Sequence, residues 1–444
     1  MLTWLGFGMV TTFMALIMTR RLSPLVALIS VPVLFALLGG FGGTQLGEMM
    51  LTGLRTLAPT GVMLMFAILY FGLMIDVGLF DPLVAAILRV VGGDPQKVVI
   101  GTALLAALVS LDGDGSTTFM ITVAAMLPLY RRLRMDPLNL TCVTILASGV
   151  MNLTPWGGPL ARAASALHVE PAEVFVPMLP AMVAGIAGVF ALAWLLGWRE
   201  KQRLGHLSLS AAAADDAAIA DSALVPQQSS TDAMRRPKLL AFNALLTLLL
   251  LVALVVGVLP LPVLFMVGFA IALVINFPKV SDQRERIAAH AKNVIAVVSL
   301  IFAAGIFTGI LSGTGMLDAM ANSVLGLVPA SLGPYLAPIT ALVSLPFTFF
   351  ISNDAFYFGV VPIVAETARE FGISPVEIAR ASLIGQPVHL LSPLVPSTYL
   401  LVGLAGVEFG DHQRFTLKWA VLVCLLMLIA ALACAVFPLY GSAR

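Results

Sequence analysis

Long apolar stretches follow one another along this chain of 444 residues, separated by short polar segments. A helix that crosses a bilayer needs about 20 mainly apolar residues. A window of that length finds candidate spans at 3–19, 22–38, 56–76, 136–152, 172–198, 239–256, 260–277, 292–312, 374–390 and 415–438. The pattern predicts an all-α polytopic membrane protein with about ten transmembrane helices.

Two further apolar regions, 97–130 and 332–370, are each divided by a short polar run, residues 111–118 and residues 351–354. Each region is predicted to form a re-entrant hairpin, with both ends at one membrane face and the polar run at its tip. A charge at membrane depth costs a few kcal/mol or more, so carboxylates at such tips predict a functional site with a cationic partner. The carboxylates of the two tips belong to Asp112, Asp114 and Asp354.

Composition supports the membrane class. Hydrophobic residues make up 60% of the chain and charged residues 11%, and the mean hydropathy is +1.02, which one water-exposed globule cannot accommodate. A net charge of +1 offers no general attraction for nucleic acid. The three cysteines have no CxxC spacing, so neither a disulfide framework nor a thiolate metal site is indicated. The N-terminal stretch has no charged start or small-residue cleavage site and is predicted to be the first membrane helix.

The polar segment 199–238 is predicted to be a flexible linker between a first half, 1–198, and a second half, 239–444. If this linker lies in the cytoplasm, most of the Lys and Arg residues that flank the spans fall on the same side. The positive-inside rule then places both termini outside, with the first hairpin entering from the cytoplasm and the second from the opposite face.

Opposed hairpins imply two repeats of inverted topology, and matching residues support them. Each of three pairs is separated by 238 residues: Pro137 and Pro375, Pro155 and Pro393, and Glu170 and Glu408. Because a half with an odd number of spans returns the chain to the opposite face, the second copy is predicted to be inverted.

Prolines also predict an interruption of one helix in each half, within 151–159 and within 386–396. In transporters, carbonyls freed at such breaks coordinate ions, and the amides of half-helix N-termini hold anionic groups. The two tips and the two breaks are therefore expected to surround one site near the membrane centre.

Residues 112–118, together with Met151-Asn152, 155–158 and the opening 13–19, resemble the citrate–metal:proton symporters (CitMHS) of the ion transporter superfamily. The resemblance extends over nearly the whole chain. It implies a transporter of the cell inner membrane, not an enzyme, that imports citrate as a complex with a divalent cation, magnesium or calcium, together with protons. No permanently bound cofactor is implied. More distant relatives imply a homodimer of scaffold and transport domains that works as an elevator.

Those distant relatives carry Ser-Asn-Thr triads at their tips, whereas this chain has carboxylates there, which suit a divalent ion or an exchanged proton. We therefore expect oxygen ligands for the metal from the two tips, namely Asp112, Asp114, Ser116, Thr117 and Asp354. Binding of the organic anion is expected from the two breaks, the second tip and one arginine, namely Asn152, Thr154, Gly157, Gly158, Arg162, Ser352, Asn353, His389 and Ser392.

Structural alternatives remain open for several of these residues. The first tip is also compatible with an interfacial turn, and Ser352 with a helix cap. Arg162 is also compatible with a snorkelling side chain or a pair with Glu170, and His389 with a hydrogen-bonded packing residue. Three other aspartates are interpreted as caps or interfacial turns, namely Asp76, Asp81 and Asp318.

Rival functions also remain open. A sodium-coupled carrier of di- or tricarboxylates or other organic anions needs the same fold with less charge at the tips. A proton/cation antiporter needs the aspartates without an anion pocket. A channel needs a continuous polar pore, and an intramembrane enzyme needs a nucleophile with its base or a catalytic dyad.

Overall fold

The computed structural model describes residues 1–19, 21–91, 93–113, 115–204, 234–326, 329 and 331–441. Within those ranges the secondary structure is entirely helical, which confirms the all-α prediction. The helices of the first half are α1 (Leu2–Met18), α2 (Pro24–Leu38), α3 (Gly43–Asp76), α4 (Asp81–Val91), α5 (Pro95–Val109), α6 (Gly115–Arg132), α7 (Pro137–Met151), α8 (Gly158–Leu167) and α9 (Pro171–Leu204).

The second half begins with α10 (Leu240–Val256), α11 (Leu261–Asn276), α12 (Val280–Gly313), α13 (Met316–Leu325) and α14 (Leu336–Phe350). One interrupted helix follows, made of α15 (Asn353–Ala355), a π-helical segment Phe356–Val360 and α16 (Val361–Arg369). The chain ends with α17 (Pro375–Ser382), α18 (Gln386–His389), α19 (Pro396–Ala405) and α20 (Phe409–Ala433).

Helix lengths recur in the same order in the two halves. Helices α3 and α12 each have 34 residues, α5 and α14 each have 15, and α8 and α19 each have 10. Helices α5 and α6 form the first hairpin, and α14 with α15–α16 forms the second. The inverted relation of the halves and their boundaries stay a prediction.

Six helices in the described part of the chain are long and apolar enough to cross a bilayer, and six shorter ones are apolar. Two spans begin earlier than predicted, α3 at Gly43 instead of 56 and α12 at Val280 instead of 292. Their first turns carry polar residues that an apolar window rejects but that a helix accepts on exposed positions. Helix α9 continues to Leu204, whereas the remainder of the linker, 205–233, lies outside the described residues.

Both predicted helix interruptions are present. In the first half, α7 ends at Met151 and α8 begins at Gly158, and we call residues 152–157 the first break. In the second half, α17 ends at Ser382 and α19 begins at Pro396, and we call residues 383–395, which include the single turn α18, the second break. Proline occupies one of the first two positions of α8, α18 and α19, where its missing N–H leaves no intrahelical bond unmade.

The two long helices α3 and α12 cross in direct backbone contact. A Cβ atom at Gly53 would lie 1.9 Å from the carbonyl oxygen of Gly305, and one at Gly309 would lie 2.4 Å from the carbonyl oxygen of Met49. Only glycine permits such an approach, and small residues spaced by four are the common means of close packing between membrane helices. The crossing joins one long helix of each half into a single unit.

We expect the Gly53→Ala variant to be destabilised by about 1–3 kcal/mol, because the added methyl group overpacks the crossing. Thermal unfolding of the purified protein in detergent measures this loss. Gly47→Ala is the matched control, since a Cβ at Gly47 has no heavy atom within 4 Å and alanine is the better helix former. An equal loss in both variants would show that the crossing is not the cause.

Candidate functional site

The first tip packs against the first break. Ser110–Asp112 forms one 3₁₀ turn, and Gly113 follows with φ +78°, a left-handed conformation that favours glycine. The indole Nε1 of Trp156 donates a hydrogen bond of 2.8 Å to the carbonyl oxygen of Leu111. A Cβ at Gly113 would lie 2.9 Å from the Trp156 ring. The tip backbone is therefore held by the tryptophan of the break.

The structure describes only some of the predicted metal ligands of the first tip. Asp114 lies outside the described residues, and for Asp112 the structure describes the backbone alone. Ser116 and Thr117 lie in the first turn of α6 and are half-buried. This geometry leaves the metal role of the first tip as a prediction.

The first break is a tight turn that leads into α8. A Cβ at Gly157 would lie 2.0 Å from the carbonyl oxygen of Asn152, so the turn requires glycine there. Thr154 is buried, and among the described residues its hydroxyl oxygen has no hydrogen-bond partner. A buried hydroxyl without a partner is unfavourable by about 1–3 kcal/mol, so the Thr154 hydroxyl has unused hydrogen-bonding capacity beside the break.

Arg162 and Asp354 form an ion pair between the two halves. The guanidinium Nε donates to the Asp354 Oδ1 at 2.5 Å, and Nη1 donates to the carbonyl oxygen of Gly158 at 3.0 Å. The exposed fractions of the two side chains are 23% for arginine and 12% for aspartate. The structure therefore pairs Arg162 with the second tip and not with Glu170, the partner that sequence proximity suggested.

The second tip begins an interrupted helix. The Ser352 hydroxyl accepts a hydrogen bond of 3.2 Å from the Ala355 amide, so Ser352 is a helix cap, as one interpretation of the sequence proposed. The carboxamides of Asn353 and Gln386 exchange hydrogen bonds of 3.4 and 3.3 Å. The tip is thereby joined to the second break.

Gln386 and Tyr357, which were not among the predicted site residues, stabilise the second tip through a chain of hydrogen bonds. Gln386 Nε2 donates to the Tyr357 hydroxyl at 2.8 Å, and that hydroxyl donates to the Ser382 carbonyl oxygen at 3.4 Å. Both Gln386 and Tyr357 are fully buried. Gln386 could have been identified from the sequence, because it precedes Pro387 in the predicted break. Tyr357 lies in an apolar run, and no feature of the sequence distinguishes it.

The remaining predicted residues of the second break are buried and hydrogen-bonded. The Nδ1 of His389 lies 2.6 Å from the carbonyl oxygen of Thr348, which makes Nδ1 the donor. The Ser392 hydroxyl accepts from the Leu394 amide at 3.2 Å. His389 thus attaches the break to α14, in agreement with its interpretation as a hydrogen-bonded packing residue.

Close contacts complete the arrangement of the four elements. A Cβ at Gly149, just before the first break, would lie 2.8 Å from the Cα of Pro387 in the second break. A Cβ at Gly115, next to the first tip, would lie 3.6 Å from the Ser397 hydroxyl at the start of α19. The tips and breaks of the two halves therefore lie against one another, and a common site near the membrane centre stays a prediction.

Two aspartates outside the site have structural partners. Asp76, at the end of α3, accepts from His290 Nε2 at 2.9 Å and from Arg286 at 3.4 Å. Asp81 begins α4 and pairs with Arg235 at 3.1 Å. Across the described part of the chain, no three His, Cys, Asp or Glu side chains are grouped closely enough to hold a metal ion.

Trp156 also connects the first break with α3 and α11. Its ring stacks on Phe71 of α3 at a centroid distance of 5.0 Å and packs edge-to-face with Phe265 of α11 at 5.2 Å. Aromatic pairs of this kind contribute about 0.5–1.5 kcal/mol beyond the area that they bury. One indole therefore contacts the tip through its N–H and the helices α3 and α11 through its ring.

We expect Trp156→Phe to keep the aromatic packing and to lose the hydrogen bond to the Leu111 carbonyl. A buried carbonyl without a donor destabilises the structure by about 1–3 kcal/mol. Hydrogen–deuterium exchange of the peptides that cover the first tip should become faster in this variant. Trp194→Phe is the control, because Trp194 is 53% exposed on α9. Unchanged exchange at the tip in Trp156→Phe would contradict the role given to the indole.

Comparison with solved structures supports the helical fold. The crystal structure of the YdaH transporter of Alcanivorax borkumensis superimposes with a TM-score of 0.52 over 88% of this chain and 88% of that chain. The two sequences are 16% identical, so the similarity concerns the fold alone.

Sequence comparisons identify the family. The profile of CitMHS, described as citrate transporter, matches residues 13–385. A protein of Bacillus subtilis (strain 168) described as "Citrate transporter" is 60% identical over 97% of this chain and 98% of its own length. A second protein of that organism, described as "Mg(2+)/citrate complex secondary transporter", is 54% identical with the same coverage. The chain is thus a multi-pass membrane protein that belongs to the CitMHS family of citrate transporters, a family of transporters and not of enzymes.

Proposed function

We propose that this transporter imports citrate as a complex with a divalent cation, coupled to protons. The observation that carries the proposal is the Arg162–Asp354 pair, which places a cationic and an anionic ligand side by side where the tips and breaks meet. Fully ionised citrate carries three negative charges, and its complex with a divalent ion carries one. Such a mixed ligand needs a carboxylate for its metal and a guanidinium for its carboxylates.

The metal is cargo in this proposal and arrives with citrate. Oxygen ligands suit the hard cations magnesium and calcium. Asp354 is the described carboxylate at the meeting point, and the first tip adds carboxylates and hydroxyls. The proposed ligands are Asp112, Asp114, Ser116, Thr117 and Asp354.

Citrate is assigned to the space beside the first break and the second tip. Arg162 offers a planar fork that matches a carboxylate, and the buried Thr154 hydroxyl offers a further hydrogen bond. The remaining residues of the proposed pocket are Asn152, Gly157, Gly158, Ser352, Asn353, His389 and Ser392.

The movement is proposed to follow an elevator mechanism in a homodimer, with halves 1–198 and 239–444 of inverted topology joined by 199–238. The glycine crossing of α3 and α12 supports their assignment to a scaffold, since it joins the halves rigidly. The hairpins and broken helices contact each other and form the transport unit. A cleft of about 560 Å³ lies between the two long helices and His168, which follows the helix that carries Arg162.

Uptake of labelled citrate into proteoliposomes tests the proposal. We expect uptake with Mg²⁺ and an inward proton gradient, and at least a tenfold loss when EDTA replaces Mg²⁺. Asp114→Asn should weaken the dependence on metal, whereas Asp318→Asn, an exposed aspartate in the first turn of α13, should behave like the wild type. Uptake that follows a sodium gradient and ignores the metal would instead indicate a sodium-coupled carboxylate carrier.

The proposed location is the inner membrane, with both termini outside and the linker in the cytoplasm. The native cysteines allow a direct test, because Cys434 is exposed near the C-terminus while Cys142 and Cys424 are buried. A membrane-impermeant maleimide should label Cys434 in intact spheroplasts. A cysteine introduced as Ser222→Cys in a Cys434→Ser background should react only after permeabilisation. The reverse pattern of labelling would invert the topology.

A further inference from the structure

We propose that Arg162 and Asp354 form a latch that the metal–citrate complex opens by an exchange of partners. The metal ion takes the Asp354 carboxylate, and a citrate carboxylate takes the Arg162 guanidinium. This inference rests on the proposed function and adds a reason why neither ligand enters alone. We call this pair the Arg162–Asp354 latch.

The geometry of the latch supports an exchangeable contact. The two side chains are joined through one guanidinium nitrogen, Nε, at 2.5 Å, and Nη1 is held by the Gly158 carbonyl at the start of α8. A Cβ at Gly158 would lie 2.8 Å from Nη1, so glycine leaves the space in which the guanidinium rests. The described contacts use two of the five N–H donors of arginine. The guanidinium is thus positioned by α8 independently of the aspartate.

The latch is only partly buried. A ligand needs such access in order to reach the two side chains. The exposed fractions of 23% and 12% leave an edge of both groups open to an incoming ion. Neighbouring groups of the second tip, Ser352 and Asn353, are half-buried as well. A structural ion pair needs no such opening, whereas a pair that exchanges partners needs one.

Charge explains the selectivity of the exchange. Free citrate has to displace Asp354 from Arg162 while it repels that carboxylate, because like charges at this separation oppose each other strongly. A free divalent cation that takes Asp354 leaves Arg162 unpaired beside a positive ion. Only the complex supplies a partner to both groups at once, so neither Arg162 nor Asp354 is left unpaired.

Two single variants each release one side of the latch. Asp354→Asn frees Arg162, so we expect citrate in EDTA to bind at least tenfold more tightly than it does to the wild type. Arg162→Gln frees Asp354, so Mg²⁺ alone should bind at least tenfold more tightly than it does to the wild type. Isothermal titration of the purified protein in nanodiscs measures both affinities. Asp411→Asn, an exposed aspartate in the first turn of α20, is the matched control and should show neither gain.

The outcomes separate the latch from the function. If the wild type neither binds nor transports citrate in the presence of Mg²⁺, the proposed function fails. If the wild type depends on metal but neither variant gains affinity for its single ligand, the latch is wrong and the function stands. Gel filtration decides which variants are folded, and either one suffices. Arg162→Lys keeps a cation beside Asp354, so this variant should bind Mg²⁺ alone no more tightly than the wild type does, and a tenfold gain there would contradict the latch. If both neutral variants fail to fold, the wild type decides: citrate in EDTA and Mg²⁺ alone should each bind at least tenfold more weakly than the complex, and equal affinities would overturn the latch.

Discussion

The ion pair between Arg162 and Asp354 is the interaction on which the site depends. Charges within a membrane protein persist only when they are paired or face water, and removal of one partner from a buried pair is unfavourable by about 3–5 kcal/mol. The Asp354 side chain is only 12% exposed, so it needs its partner whenever no cation is bound. Because the arginine comes from the first half and the aspartate from the second, this requirement also sets how the halves meet.

The breaks that surround the pair follow from backbone chemistry. An interrupted helix exposes carbonyl and amide groups that an apolar environment cannot satisfy, so side chains or ligands must do so. Trp156 supplies a donor to Leu111, Gln386 supplies one to Tyr357, and His389 bonds to Thr348. The Thr154 hydroxyl stays without a partner among the described residues. The polar groups described at the tips and breaks are thus largely satisfied internally, and the Thr154 hydroxyl is the exception among these side chains.

Hydropathy and the positions of the prolines were sufficient to predict the helical class, the two helical arms of each divided apolar region and the two breaks, because each depends on the local sequence. Helix starts such as Gly43 and Val280 were missed, since exposed polar residues do not interrupt a helix but do lower an apolar average. The partner of Arg162 could not be read from the sequence. The two residues are 192 positions apart, and no periodicity links them. Glu170 is near Arg162 in the chain, whereas the fold brings Asp354 beside it.

An elevator mechanism separates the contacts of the site into two kinds. The Arg162–Asp354 and Asn353–Gln386 contacts lie within the proposed transport unit and would move with it. The stacking of Trp156 on Phe71 and Phe265 joins that unit to α3 and α11, so the proposed movement would break and remake it in each cycle. Aromatic contacts suit this task, because each contributes little beyond area and carries no charge to be desolvated again. In this proposal the charged contact lies inside the moving unit, where the bound ligand and not the movement would determine its partners.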